Sequence, residues 1–318
     1  MGLTILDIAK RNGSDAVVGL IDETTKAVPE VSGINPESGI IVPGVADART
    51  ISGTSYKTLI RTGIPTVPFR NGNEGSTGLK CRYENKLVET FILNPRWDVD
   101  KAIADKSEDG WQVLMADEAG GILEAAFQQL GKQFYYGRNT TYGGHAKGFN
   151  GLIDVVDAGY VVDAGGSTAD TGSSVWAVKF GPKAVRWVYG ANGSMDPTEV
   201  DQRDVRDADG NPYTAYFQEM FMYPGLQVGS ARFIARIKKL TEDSGKGLTD
   251  AKMSALLEKF PVGIRPDAFF MTKRSRRQLR DSRTATNDTG KEAPLPSDYE
   301  GIPIVVTESL SNTEALTL

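Results

Sequence analysis

The sequence predicts a fold of the α+β class, and three observations support this prediction. Residues 54–92 contain two alternating stretches around a polar, glycine-rich centre, which is typical of a long β-hairpin. Residues 107–131 carry apolar side chains at three- and four-residue steps, which indicates a long helix. From residue 149 onward, short apolar strands are mixed with helices, which indicates a layer of mixed sheet and helix.

The composition excludes several classes of protein. The 318 residues are 40% hydrophobic, which is enough for a substantial core, and the formal net charge of −5 argues against a classical nucleic-acid binder. The only cysteine, Cys81, and the only histidine, His145, exclude an intrachain disulfide and a Cys/His zinc site. No carboxylate pair is singled out, so we expect no enzymatic activity, cofactor or metal. We also find no signal peptide and no membrane-spanning stretch.

The N-terminal region is predicted to form an arm. Residues 3–11 and 14–26 have the pattern of two short amphipathic helices, and residues 33–45 form an extended, loop-rich segment. A segment of this kind either packs on a neighbouring molecule or is an ordinary tethered terminus, and both alternatives stay open at this stage.

The hairpin that follows has the polar tip RNGNEGSTG at residues 70–78, which is rich in turn-forming residues. After the tip, apolar and polar residues alternate from Leu79 to Glu84, whereas Pro65 and Pro68 interrupt the strand before it. Arms of about 15 residues reach roughly 50 Å, and an isolated two-stranded hairpin is marginally stable in water. We therefore expect something outside one small domain to hold this hairpin in place.

The predicted helix at about 107–131 organises the next region, and about 24 residues span roughly 36 Å. Gly120 and Gly121 lie in its middle, where each glycine costs about 1 kcal/mol of helix stability. Close packing of another backbone, or a bend, would explain these glycines. The apolar face is formed by Trp111, Leu114, Met115, Ala119, Ile122, Leu123, Ala126, Phe127 and Leu130.

The second half of the chain is predicted to alternate between strands and helices. We expect a turn at DADGN (207–211) and helices at 249–260, where Thr249 is the candidate N-cap, and at about 272–281. Strands are predicted at 149–159, 159–166, 174–181, 184–190, 215–230, 267–271 and 301–310.

Three short motifs suggest ligand sites, but each lacks a required residue. VRDADGN (205–211) lacks the carboxylates that a calcium loop needs at its first and last positions. SGKGLT (244–249) lacks the upstream glycine and the Ser or Thr of a phosphate-binding loop. GGSTADTGSS (165–174) contains no basic residue. All three are interpreted as turns or loops.

KRSRRQLR (273–280) is the only dense basic cluster. Its cations Lys273, Arg276, Arg277 and Arg280 fall on one face of the predicted helix. This face either contacts phosphates or a neighbouring subunit, or it is solvated and paired with nearby acids.

The order of these elements resembles the major capsid proteins of tailed double-stranded DNA phages, which have the Hong Kong 97-type fold. The resemblance looks closest to a capsid family of podovirus type and spans roughly residues 65–315. RNGNEGSTG is similar to the family's hairpin tip, and FYYGRNT followed by KGFNGLID matches the end of its long helix. SSVWAVKFGPKAVRWVYGANG matches the paired strands that follow, and GIPIVVTESLSNTEA resembles a strand near the C-terminus of the fold.

The resemblance implies a division of the chain. Residues 1–50 would be an N-terminal arm, 51–95 an extended hairpin loop (E-loop) with flanking strands, and 96–150 a peripheral domain containing the spine helix. Residues 151–305 would form most of an axial domain, and 306–318 a C-terminal return segment. The hairpin would lie over an adjacent subunit, and we expect eight of its residues to contact that neighbour: Arg70, Asn71, Asn73, Glu74, Lys80, Arg82, Glu84 and Lys86.

The implied function is that of a structural shell protein without enzymatic chemistry. Hexamers and pentamers would build an icosahedral capsid around phage double-stranded DNA, assembled in the bacterial cytoplasm. Expected partners are the chain itself, a portal, a separate scaffolding protein, in some cases a decoration protein, and packaged DNA in weak or non-specific contact, with no membrane. The alternatives are an encapsulin-like compartment shell protein, another virion structural protein and, more remotely, a hydrolase.

Overall fold

The computed structural model describes residues 6–7, 11–12, 22–193, 197–285 and 291–318. Within the helix predicted at 3–11, the described residues Leu6, Asp7 and Arg11 are helical, and the others lie outside the described residues. Most of the helix predicted at 14–26 also lies outside them. Residues 22–26 are not helical. The helices are α1 (Pro29–Ser32), α2 (Lys101–Ala104), α3 (Trp111–Tyr136), α4 (Leu152–Val155), α5 (Asp250–Glu258) and α6 (Lys273–Ala285).

Fourteen strands form four sheets within the described residues. The sheet orders are β13-β14-β12-β6-β11-β5, β1-β7-β10, β4-β9-β8 and the isolated pair β2-β3. The strands are β1 (Arg49–Thr50), β2 (Ser55–Gly63), β3 (Arg82–Glu89), β4 (Arg96–Asp100), β5 (Val161–Asp163), β6 (Ser173–Val178), β7 (Val185–Tyr189), β8 (Asp201–Arg206), β9 (Pro212–Glu219), β10 (Pro224–Val228), β11 (Ile234–Leu240), β12 (Ala268–Met271), β13 (Asp298–Tyr299) and β14 (Ile302–Val306).

The six-stranded sheet is covered by helices on both faces, as strand β6 illustrates. Side chains alternate between the two faces of a strand, and every residue of β6 is buried. Val175 and Ala177 pack with α5 and α6 in one apolar cluster. Trp176 and Val178 pack with α3 in the other cluster. The sheet is therefore the shared centre of both cores.

Helix α3 is the predicted long helix, but its bounds differ from the predicted 107–131. It begins at Trp111, because Gly110 before it has a φ of 85° that is outside the helical region. It ends at Tyr136, five residues beyond the predicted end. The extension is explained by Phe134, Tyr135 and Tyr136, which are fully buried, with the Phe134 ring centroid 5.5 Å from that of Trp187.

The glycines of α3 have different surroundings. A Cβ atom placed on Gly120 or Gly121 would meet no atom within 4 Å, so no described part of the chain packs closely there. At Gly131 the same atom would lie 2.6 Å from both Glu30 Oε1 and Val28 Cγ1. Close packing against the helix therefore occurs at Gly131 and involves the segment that leads into α1.

Glu30 connects the N-terminal region to the core. Its side chain is fully buried, and Oε1 accepts a hydrogen bond from Thr307 Oγ1 at 3.2 Å. Its main-chain oxygen accepts from Trp187 Nε1 at 2.7 Å. Burial without a cationic partner raises the pKa of Glu30 from 4.5 to about 7. Two buried oxygen atoms nearby, Oε2 of Glu30 and the hydroxyl of Tyr135, have no hydrogen-bond partner among the described residues.

The C-terminal segment is tied to the six-stranded sheet by a buried ionic network. Arg236 of β11 and Glu314 are 4% and 2% exposed at their side chains, and Arg236 Nη2 lies 3.0 Å from Glu314 Oε2. The Ser174 hydroxyl donates to Glu314 and accepts from Arg236, and Tyr136 Oη donates to Glu314 Oε1 at 2.7 Å. Desolvation and the Glu314 carboxylate raise the pKa of Tyr136 above its ordinary range. The sequence offered no signal for this network.

The prediction of a strand at 149–159 is wrong, because this stretch forms helix α4 and a 3-10 turn at Ala158–Tyr160. The Asp154 carboxylate accepts from the Gly151 N–H at 2.9 Å, and Asp157 Oδ1 accepts from the Gly159 N–H at 3.1 Å. These local bonds close helical turns despite the β-branched residues.

The turn at 207–211 and the Thr249 cap, which accepts from the Lys252 N–H at 3.4 Å, are confirmed.

Candidate functional site: the extended hairpin

The hairpin has a regular stem. Strands β2 and β3 pair antiparallel from Ser55 opposite Glu89 to Gly63 opposite Arg82, with an irregularity between Arg61 and Gly63. Beyond this point, residues 64–81 contain no strand. We call residues 64–81 the tip. The stem is therefore a two-stranded ribbon, and among the described residues the side-chain hydrogen bonds of the tip are local.

The stem is anchored to the rest of the subunit at its root. Val88 is buried, and the Tyr56 hydroxyl donates to the side chain of Gln227 in β10. The Arg49 guanidinium lies 4.0 Å from the centre of the Tyr56 ring, which is a cation–π geometry. These contacts fix the direction in which the hairpin leaves the subunit.

Four of the predicted contact residues meet in one turn of the tip. The Asn71 N–H donates to Glu74 Oε2 at 3.0 Å, and Asn71 Nδ2 donates to Glu74 Oε1 at 3.3 Å. These bonds lower the pKa of Glu74. The Arg70 guanidinium donates to the Glu74 carbonyl oxygen, and Asn73 adopts a left-handed conformation with φ of 66°. Hydrogen bonds between residues 70, 71 and 74 therefore hold the conformation of this turn, and its side chains remain exposed to solvent.

Of the other four predicted contact residues, Lys80 lies at the end of the tip, and Arg82, Glu84 and Lys86 lie on β3. Lys80, Arg82 and Glu84 are exposed. Lys86 is different, because its Nζ donates to the Val228 carbonyl oxygen at 2.8 Å and its burial lowers its pKa. Lys86 therefore lies at the root, where it attaches the stem to β10 of its own chain.

The hairpin also exposes apolar side chains that the sequence-based prediction did not include. Phe69 and Ile64 are 106% and 76% exposed, and the others are about half exposed or more. Scattered apolar residues are normal on a surface, but seven exposed large apolar side chains on one hairpin favour an interaction site. The apolar run around Pro65 and Pro68 was the available signal. The exposed set is Leu59, Ile64, Val67, Phe69, Leu79, Tyr83 and Leu87.

The basic face of α6 is paired with acids. Each of its four predicted cations lies within 4.0 Å of a carboxylate of the same chain, and the side chain of Arg276 is only 14% exposed. The pairs are Lys273 with Glu308, Arg276 with Glu37, Arg277 with Glu242, and Arg280 with Asp281.

The described part of the chain contains neither a candidate metal site nor a membrane-spanning helix. No group of three or more His, Cys, Asp or Glu side chains among the described residues is arranged to hold a metal ion. None of the described helices is long and apolar enough to cross a bilayer.

Comparison with known proteins relates this geometry to other chains. The family model described as major capsid protein GP7 matches residues 45–317. The chain is similar to the near-atomic cryo-EM structure of bacteriophage epsilon15, at 23% identity and a TM-score of 0.71, covering 99% of this chain and 97% of that one. Agreement over nearly the whole of both chains shows a common fold. A search of curated proteins found no match.

Two further structures are more distant. The capsid of Myoviridae phage XM1 is 13% identical with a TM-score of 0.48, covering 72% of this chain and 98% of that one. The holo-SrpI encapsulin complex from Synechococcus elongatus PCC 7942 is 12% identical with a TM-score of 0.42, covering 74% of this chain and 95% of that one.

Proposed function

The chain belongs to the major capsid protein GP7 family and has the Hong Kong 97-type fold, and from this premise we propose how it builds a shell. As a structural protein of the phage capsid, it assembles with copies of itself. In our proposal, hexamers and pentamers form an icosahedral shell around double-stranded DNA. The hairpin of each subunit lies over its neighbour and makes the contact on which this assembly depends.

The exposed apolar set of the hairpin is the observation that carries this proposal. Seven large apolar or aromatic side chains stand in solvent on an element whose root is rigidly anchored. Removing apolar surface from water stabilises a complex by roughly 25 cal/mol per Å², so covering these side chains would contribute several kcal/mol to association. A neighbouring subunit would cover it. The charged tip residues Arg70 and Glu74 then set register more than affinity.

The division of the chain follows from this arrangement. We assign residues 1–50 to the arm, 51–95 to the extended loop, 96–150 to the peripheral domain, 151–305 mostly to the axial domain and 306–318 to the return segment. The described part of the arm also contacts its own subunit, because Arg11 Nη1 lies 3.3 Å from Glu118 Oε1 on α3 and Asn12 Nδ2 donates to the Lys106 carbonyl oxygen at 3.1 Å.

Contact with DNA is weak in this proposal. The chain carries a net charge of −5, and carboxylates already compensate the four cations on the basic face of α6. An acidic shell with compensated cations repels a dense polyanion on average, which permits both packaging and release. We further propose assembly in the bacterial cytoplasm with a portal, a separate scaffolding protein and, in some cases, a decoration protein.

Deletion of residues 71–78 tests the proposed role of the hairpin. All eight residues are exposed and lie outside the β2–β3 ladder, so the subunit should fold with unchanged thermal stability. We expect negative-stain electron microscopy and light scattering to show uniform shells or rings for the unchanged chain and unassembled subunits for the deletion.

Two outcomes would contradict the proposal. Normal particles from the deletion variant would mean that the polar part of the tip, residues 71–78, is not needed for assembly. A strict requirement for nucleic acid before any shell forms would contradict weak contact with DNA, whereas empty shells from nucleic-acid-free protein would support it.

A further inference from the structure

A groove of about 750 Å³ lies between residues 34–43 and residues 295–305, on a different part of the subunit from the hairpin. Its lining is largely apolar, and Ile40, Ile41 and Leu295 are 68%, 65% and 53% exposed. The neighbouring strand β14 is packed in the six-stranded sheet, so the floor of the groove belongs to the rigid core. The groove is preformed and unfilled by the described residues.

The tip of the hairpin offers a shape and chemistry that suit this groove. Residues 64–69 are an extended, proline-containing segment outside any strand, with Ile64, Val67 and Phe69 at least three-quarters exposed. Prolines reduce the conformational entropy that the segment loses on binding. An extended segment with three apolar side chains on a stem of fixed direction is therefore suited to insert into a preformed apolar groove.

The charges of the two surfaces are opposite in sign. The tip and the first residue of β3 contain three cations, Arg70, Lys80 and Arg82. They contain one carboxylate, Glu74, which accepts hydrogen bonds from Asn71. The charged residues that line the groove are Glu37, Asp298 and Arg276. Arg276 pairs with Glu37, which leaves the carboxylate of Asp298 as the uncompensated charge of the lining. Opposite potentials favour encounter of the two surfaces and disfavour contact of either surface with itself.

We propose that this groove receives residues 64–70 of the hairpin of a second copy of the chain. The proposal rests on the shell function above and identifies the surface of the neighbour to which the hairpin binds. A projecting apolar element and a complementary groove elsewhere on the same chain produce head-to-tail contacts. Such contacts close into rings when the rotation between subunits permits, which matches the ring-shaped units of the proposed shell.

Thiol cross-linking tests this pairing directly. The background variant is Cys81→Ser, which removes the only native thiol. Into it we would introduce Val67→Cys on the tip together with Ser38→Cys at the groove, two exposed positions whose substitution leaves the core unchanged. After assembly, a short bismaleimide should convert most subunits into covalent dimers and longer ladders on a denaturing gel.

The matched control places the second thiol at Val262, which is fully exposed and lies outside the groove. Val67→Cys with Val262→Cys should give at least tenfold less ladder than the groove pair, and each single-cysteine variant should give none. Equal ladders from the groove pair and the control pair would overturn the inference, since cross-linking would then be independent of the groove.

Two further outcomes separate this inference from the shell function. Particles that form without a ladder from the groove pair overturn the pairing but leave shell assembly intact. A Cys81→Ser background chain that stays monomeric under conditions of assembly overturns both. A ladder confined to the groove pair, absent when Ile40→Lys is added, supports the inference, because a buried lysine would oppose insertion of the tip.

Discussion

The hairpin tip and the C-terminal segment use their side chains in opposite ways. The tip exposes Phe69 and Ile64 to solvent, and among the described residues its side-chain hydrogen bonds lie within the tip. The C-terminal segment buries a charged residue, Glu314, and satisfies it with Arg236, Ser174 and Tyr136 of its own chain. In our proposal a neighbouring subunit covers the tip, whereas the partners of Glu314 all lie within its own subunit.

This difference separates assembly from folding. Changes in the C-terminal network should alter the stability of the isolated subunit, because every partner is internal. Changes in the tip should alter association and leave subunit stability almost unchanged. The following predictions are arranged from the largest expected effect on subunit stability to the smallest.

Glu314→Ala should have the largest effect. It leaves the Arg236 guanidinium buried without a counter-charge, and removal of one partner of a buried pair costs about 3–5 kcal/mol. Urea denaturation of the unassembled subunit would measure the loss. Arg277→Ala is the control, since its pair with Glu242 is half exposed and is worth about 1 kcal/mol or less. Equal losses in the two variants would contradict the proposed internal role of the network.

Glu30→Gln should change how subunit stability depends on pH. Between pH 4.5 and about 7, folded Glu30 holds a proton that the unfolded chain has released, so its contribution to stability falls as pH rises through this window. The shift corresponds to about 3 kcal/mol. Glutamine cannot ionise, so the variant should gain about this amount relative to the unchanged chain between pH 4.5 and pH 8, as measured by denaturation.

The control for this prediction is Glu23→Gln, which removes an exposed carboxylate from the same N-terminal region. Its stability relative to the unchanged chain should vary little with pH. A Glu30→Gln difference that is also independent of pH would show that Glu30 ionises with an ordinary pKa in the folded subunit.

Gly131→Ala and Gly120→Ala should change stability in opposite directions within one helix. The added methyl group at Gly131 would overlap with Glu30 and Val28, which costs about 1–3 kcal/mol. At Gly120 it meets no described atom and improves helix propensity by up to about 1 kcal/mol. Thermal denaturation of unassembled subunits would compare them. The same sign for both variants would be inconsistent with close packing at Gly131 alone.

Phe69→Ser should have the smallest effect on the subunit and a large effect on assembly. The side chain is fully exposed, so subunit stability should change by less than about 0.5 kcal/mol. Val262→Ser removes an equally exposed apolar side chain away from the hairpin. Light scattering should show reduced assembly for Phe69→Ser only. Reduced assembly in both variants would mean that exposed apolar area matters in general, without a specific role for the tip.

Local patterns explain which elements could be predicted. The apolar face of α3 was recognisable because its residues recur at helical spacing, and the hairpin because alternation surrounds a turn-rich centre. The 149–159 stretch was predicted incorrectly, because Asp154 and Asp157 close helical turns that the β-branched residues did not suggest. Strand β11 was not predicted, since Lys238 and Lys239 interrupt its apolar pattern.

The candidate site was only partly predictable for a related reason. The eight polar hairpin residues were chosen for their position along the chain, which cannot distinguish the root from the tip. The contact of Lys86 with Val228 joins residues 142 positions apart and exists only in the folded subunit. The exposure of Phe69 likewise depends on what the rest of the chain leaves uncovered.

The sequence by itself determined the α+β class, the hairpin, the long helix and the resemblance to phage capsid proteins, because periodicity, turn chemistry and ordered motifs are local properties. Only the tertiary structure decided that the cations of α6 are compensated, that Glu30 and Glu314 are buried, and that an apolar groove faces solvent. Charge compensation, burial and exposure depend on contacts between residues far apart in the chain, and local sequence carries no record of those distances.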